Sequence, residues 1–259
     1  MSNKDAIGLS RGEGGGAAMS RDVGERREVS ENVRAMSDDR RYLFILAPMR
    51  SGSTLLTFLL CSHPEILGYG ETHVVYDAPA KLDELVARVC RAHGLERPAS
   101  RYVLDKLLHG GLLRRPEVLE GVDLTCLFLL REPRRTIRSI VHQLDSTLDD
   151  AFDYYRERLA SLETYARIFP RRAFVTYEEL TGDSERTLAR LTAFLGLSTP
   201  LSPEYRLQPR HDVKGVGDRS EAIRAGRILM NPRELTVELP EDRLAEAEAA
   251  WQRCKAALA

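Results

Sequence analysis

The sequence predicts an α/β fold, a parallel β-sheet flanked by helices in a single domain, and three observations carry that reading. Short apolar runs recur along the chain, as expected of strands buried on both faces. Each runs into a segment with helical apolar spacing. A length of 259 residues with 43% hydrophobic content suffices for one substantial core and is short for two once a polar start is subtracted.

Taken in order, Tyr42 to Ala47 (YLFILA) reads as a strand, and from Gly52 the string GSTLLTFLLCSHP reads as a helix stopped by Pro64. Leu82, Leu85, Val86 and Val89 mark a second helix. Leu124 to Leu130 is a strand leading through Arg131-Glu-Pro133 into a helix whose face carries Ile137, Ile140, Val141 and Leu144; Pro133 suits its first turn, where the missing N–H costs nothing. Ala173 to Tyr177 is a further strand, followed by a helix with Leu188, Leu191, Phe194 and Leu195 that ends at Gly196. A last helix spans about Glu241 to Leu258. In such a sheet ligands sit at the carboxyl ends of the strands.

Residues 1–38, rich in Gly, Ser, Arg and Glu, have no periodic apolar face and are expected to be a disordered extension, with the domain over 39–259. Met19 and Met36 leave the translation start open. Lysine plus arginine (38) balance aspartate plus glutamate (39), so no broad field attracts nucleic acid or anionic membrane, and any anion site must be local. No apolar run reaches a membrane span and the start lacks the core of a signal peptide, which predicts a cytoplasmic protein. Cys61, Cys90, Cys126 and Cys254 form no C-x-x-C pair and read as small core residues, not metal ligands.

The chemistry concentrates in Pro48-Met-Arg-Ser-Gly-Ser-Thr-Leu-Leu56. A loop between a buried strand and a helix start aims several amide N–H groups and the positive end of the helix dipole at one place, a cradle for phosphate. Gly52 lets the backbone approach an anion closely, Ser51, Ser53 and Thr54 add hydroxyls, and Arg50 adds a fixed charge. It is not the common triphosphate motif, which needs glycine at Ala47 and lysine at Ser53. ATP or GTP chemistry is correspondingly less attractive.

This loop resembles the 5′-phosphosulfate loop, P-[RK]-S-G-[ST]-T-L, of sulfotransferases that use 3′-phosphoadenylyl sulfate (PAPS), with Met49 inserted before Arg50. Phe128-Leu-Leu-Arg131-Glu-Pro-Arg-Arg-Thr-Ile-Arg-Ser139 is similar to the family's 3′-phosphate motif, an arginine at a strand end and a serine eight residues on. Phe174-Val-Thr-Tyr177-Glu-Glu-Leu180 with Phe194-Leu-Gly-Leu197 is similar to its Y-E-[DE]-L and F-L-G-L segments. The matches cover roughly residues 42–200 in the family's order. The resemblance implies a P-loop NTPase-like sheet, PAPS as sulfuryl donor, 3′-phosphoadenosine 5′-phosphate (PAP) as product, and no metal or covalent intermediate. It implies that Arg50, Ser51, Gly52, Ser53 and Thr54 hold the 5′ end, Arg131 and Ser139 the 3′-phosphate, and that Tyr177 lies beside the adenosine.

Transfer also needs a base for the acceptor's proton and a cation at the leaving phosphate. In His63-Pro-Glu-Ile-Leu-Gly-Tyr-Gly-Glu71-Thr-His73 a carboxylate and an imidazole follow the first helix by a short turn. Similarity to the H-P-E-x-x-x-G-E-E-T string of the protein-tyrosine sulfotransferase branch, with Gly70 in place of its first glutamate, favours Glu71 over His73 as base. Lys106, ending Tyr102-Val-Leu-Asp-Lys106, resembles a family lysine on the leaving group, where Arg50 is expected to be the main stabiliser. His109 and His142 read as surface residues. Lys214, in a glycine-rich string ending at Asp218-Arg219, is weakly similar to a family loop closing over the 3′-phosphate. The expected acceptor is a small molecule with a hydroxyl, an amine ranking second; oligomeric state stays open, a homodimer included. The acceptor pocket is expected to be shaped by loops around residues 72–120, 143–160 and 200–235. A nucleotide or small-molecule kinase and a non-catalytic adenine-nucleotide-binding module are the alternatives.

Overall fold

Five strands and eight α-helices shape the described part of the chain, residues 41–213, 217–229 and 235–259 of a computed structural model. The proposed extension 1–38, the boundary at 39 and Lys214 lie outside them. Strands β1 (Arg41–Leu46), β2 (Ile66–Leu67), β3 (Tyr102–Leu107), β4 (Leu124–Leu130) and β5 (Arg172–Thr176) form one sheet in the order β2-β3-β1-β4-β5. Every pairing is parallel, with Leu46 opposite Leu107 on one side and Phe128 on the other, so the carboxyl ends of β1, β3 and β4 open at one edge.

The sheet has an apolar layer on each face because alternate side chains point to opposite sides. Leu43, Ile45, Leu104, Leu127 and Leu129 pack under α1 (Ser53–Cys61), α5 (Tyr177–Gly182) and α6 (Ser184–Leu195). Phe44, Leu46, Val103, Cys126 and Phe128 pack under α2 (Lys81–His93), α3 (Pro133–Leu144), α4 (Leu148–Ile168) and α8 (Glu241–Leu258), while α7 (Glu221–Arg224) sets Ile223 on the first face. The expected parallel α/β sheet flanked by helices is therefore the fold, and residues 41–259 form one unit. All seven residues of β4 are buried, which is why it reads as an unbroken apolar run. The four cysteines are free and buried. Among the described residues no helix is long and apolar enough to cross a membrane.

One expectation fails. Residues 143–160 were expected to be a loop, yet Leu148–Ile168 is the longest helix among the described residues, started by Thr147, whose hydroxyl accepts from the Asp150 amide. Its buried face, Phe152, Tyr155, Leu159, Leu162 and Ala166, repeats at intervals of three and four, and α8 packs against it. The strand read as Ala173 to Tyr177 ends at Thr176, because Thr176 and Glu179 close a capping box that starts α5 at Tyr177.

Candidate functional site

The loop from Ala47 to Gly52 turns through two left-handed residues, Arg50 (φ 61°) and Gly52 (φ 90°). For Arg50 that conformation costs on the order of 1–2 kcal/mol and needs outside support. Support comes from both flanks: the Met49 amide donates to the Tyr154 hydroxyl (2.8 Å) and the Arg50 carbonyl accepts from Arg131 Nη1 (3.1 Å). Inside the loop Ser51 Oγ donates to the Pro48 carbonyl (2.7 Å). At Gly52 a Cβ would strike the ring of Tyr177, so the position needs glycine for space as well as for φ. Gly52 caps α1 without a side-chain hydrogen bond, and helix geometry gives the first-turn amides no partner within the helix.

Four residues from three separate motifs meet here. Arg50 Nε donates to Ser139 Oγ (3.1 Å), Arg131 holds the Arg50 carbonyl, and the Arg131 guanidinium lies 4.5 Å from the centroid of the Tyr177 ring. Alternation along β4 sends Arg131 to the face of α1, and the first turns of α3 return Ser139 to the same place. Burial pulls Arg131 below the ordinary arginine value, with the Tyr177 and Glu178 charges opposing it. Its Nε has no partner among the described residues, a donor left for a ligand.

Arg50 also pairs with Asp218 (2.9 Å), whose own amide donates to Thr54 Oγ1 (3.0 Å). Burial opposes ionisation of Asp218, but the Arg50 charge and hydrogen bonds from Ser220 and Arg50 hold its carboxyl below the ordinary value. Arg50 thus reaches toward Ser139 and Asp218, and the cation beside Thr54 is Lys106: its Nζ lies 3.2 Å from Thr54 Oγ1 and 3.2 Å from Glu71 Oε1.

Lys106 is 1% and Glu71 7% exposed, so neither is a solvated loop charge. Burial pulls Lys106 below the ordinary lysine value while the Glu71 charge pushes the other way. Glu71 reaches this place through Asp105, which the sequence reading passed over. Strand alternation turns Asp105 to the face opposite Lys106, where its carboxylate accepts from the Thr72 amide (3.0 Å), the Thr72 hydroxyl (2.6 Å), the Tyr76 hydroxyl (2.6 Å) and the Lys106 amide (2.8 Å). Burial raises its carboxyl despite these donors. A carboxylate inside an apolar run, followed back to Thr72 and Tyr76, was the available signal.

Two adjoining cavities share Arg50, Arg131, Tyr177 and Asp218 as walls. One, of about 330 Å³, holds Ser53, Thr54, Glu71, Lys106, His73 and His109 along its walls. The other, of about 870 Å³, is lined by Ser139 and the further arginines Arg134, Arg135 and Arg138. His109 therefore lines a cavity, although its side chain is exposed. His142 is exposed and lines neither.

No family model matches the chain, and no curated protein matches it. Among solved structures it is similar to that of mouse sulfotransferase SULT7A1 complexed with PAP, at 18% identity and a TM-score of 0.43 over 61% of this chain and 60% of that one.

Proposed function

We propose that the protein is a sulfotransferase that moves a sulfuryl group from PAPS to the hydroxyl of a small acceptor. The observation that carries the reading is the convergence, at one sheet edge, of Arg50, Arg131, Ser139 and Tyr177 beside the buried pair Lys106 and Glu71. The first four suit a nucleotide with phosphate on its ribose, and the pair suits transfer at the other end.

In this reading the amides of Ser51 to Thr54 and the hydroxyls of Ser53 and Thr54 hold the donor's 5′-phosphate, Arg131 and Ser139 hold its ring phosphate, and Tyr177 borders the adenosine. Arg50, bonded to Ser139, serves between the two phosphates. The acceptor oxygen attacks sulfur as the bond from sulfur to the 5′-phosphate oxygen breaks, and PAP departs. Glu71 takes the hydroxyl proton, and Lys106 offsets the charge that grows on the departing phosphate, the part the sequence favoured for Arg50.

Thermal shift with PAP against AMP tests the donor assignment. PAP is expected to stabilise the protein strongly and AMP weakly, with the difference abolished in Arg131→Ala while that variant remains folded. Equal stabilisation by both nucleotides refutes the assignment. A stronger response to ATP with Mg²⁺ points to a kinase. PAP binding without sulfuryl loss from PAPS toward any hydroxyl or amine points to a binding module.

A further inference from the structure

Helix α4 lines neither cavity, yet it is fastened to the strand ends that build them. The Tyr154 hydroxyl accepts from the Met49 amide and donates to the Leu108 carbonyl, both at 2.8 Å. Four residues on, along the same edge of the helix, Arg158 donates from Nε to the Ala47 carbonyl (3.1 Å) and from Nη2 to the Leu107 carbonyl (2.6 Å). One helix edge thus ties the end of β1, which leads into Arg50 and the phosphate loop, to the end of β3, which carries Lys106.

The two tethers differ in what they reach. Arg158 grips the strand ends themselves, whereas Tyr154 grips the amide of Met49, the residue before the left-handed Arg50. The peptide group after Arg50 is gripped by Arg131. These two hydrogen bonds bracket the backbone of Met49 and Arg50, and the Arg50 guanidinium is directed to Ser139 and Asp218. Burial pushes the Tyr154 hydroxyl up to about 12, so the proton it donates to Leu108 stays in place at working pH.

We infer that Tyr154 is a positioning residue for the donor loop: its hydroxyl sets the backbone turn at Arg50 and keeps that loop in register with β3 and Lys106. The inference rests on the donor assignment above for the ligand it names, though not for the loop geometry itself.

Tyr154→Phe removes the hydroxyl and keeps the ring. Tyr102→Phe is the control, since Tyr102 gives a buried hydroxyl to the Leu195 carbonyl (2.8 Å) at the amino end of β3, far from the loop. The measurements are PAP affinity by calorimetry, amide hydrogen exchange over residues 49–54, and melting temperature to establish that both variants fold. Tyr154→Phe is expected to weaken PAP binding about tenfold and to speed exchange across 49–54, while Tyr102→Phe changes neither. Equal losses in the two variants, or an unchanged loop and PAP affinity in Tyr154→Phe, overturn the inference. If the wild-type protein binds no PAP, the donor assignment falls, and exchange over 49–54 alone decides the role of Tyr154.

Discussion

Lys106 shows how a single side chain changes character on burial. In the sequence it is a cation at the end of an apolar run; in the fold it lies between Thr54 and Glu71 with almost no exposure. Desolvation favours its neutral form, so its proton is lost below the ordinary lysine value of 10.5. Under the proposed function Lys106 acts as a cation. PAP affinity is therefore expected to decline before pH reaches 10.5, and Lys106→Arg, if it folds, moves that decline upward, because guanidinium keeps its proton past about 12. Calorimetric titrations across the alkaline range check this, and identical profiles for the two proteins would remove Lys106 from the site. Asp105 is the complementary case, a buried carboxylate that, through the Thr72 amide and hydroxyl and the Tyr76 hydroxyl, lashes the segment carrying Glu71 onto β3.

Among the elements, β4 was the easiest to read and α4 the hardest. A run of seven buried residues, Leu124–Leu130, has no other use than a central strand, and its observed bounds match the sequence reading. Leu127→Ala is expected to cost about 3 kcal/mol, because Leu127 is fully buried between the sheet and the α1 layer. Urea denaturation checks the figure, and a loss under about 1 kcal/mol means that the neighbouring side chains collapse into the space. Helix α4 hid behind its charges, since Asp149, Asp150, Asp153, Arg156, Glu157 and Arg158 interrupt the apolar positions. Its spacing at 152, 155, 159, 162 and 166 was nevertheless present in the sequence. What no periodicity announces is that Arg158, on the buried side, spends its charge on two strand-end carbonyls and not on a carboxylate.

At the scale of the molecule the near balance of charge conceals a local concentration. The net charge is −1, yet Arg50, Arg131, Arg134, Arg135 and Arg138 surround one cavity. Glu132, Asp218 and Glu221 offset them only in part. Such a site draws a multiply charged anion more strongly than a singly charged one, and salt screens the attraction. The dissociation constant of PAP is expected to rise roughly fivefold between about 0.05 M and 0.5 M salt, and that of AMP less. Parallel salt dependence for both nucleotides would mean that the extra arginines act only as surface charge.

The sequence by itself determined the alternation of strand and helix, the parallel sheet it implies, and the loops after β1 and β4 as the places where chemistry gathers. These follow from local periods and from residues at short spacing, which the chain carries before it folds. Only the tertiary structure decided which side chains meet. Arg50 finds Ser139 and Asp218 at 89 and 168 positions' distance, Lys106 is buried against Glu71, and α4 reaches across to hold the loop. Those encounters depend on strand order and on the alternation that sends neighbours such as Asp105 and Lys106 to opposite faces, relations between segments that no single segment records.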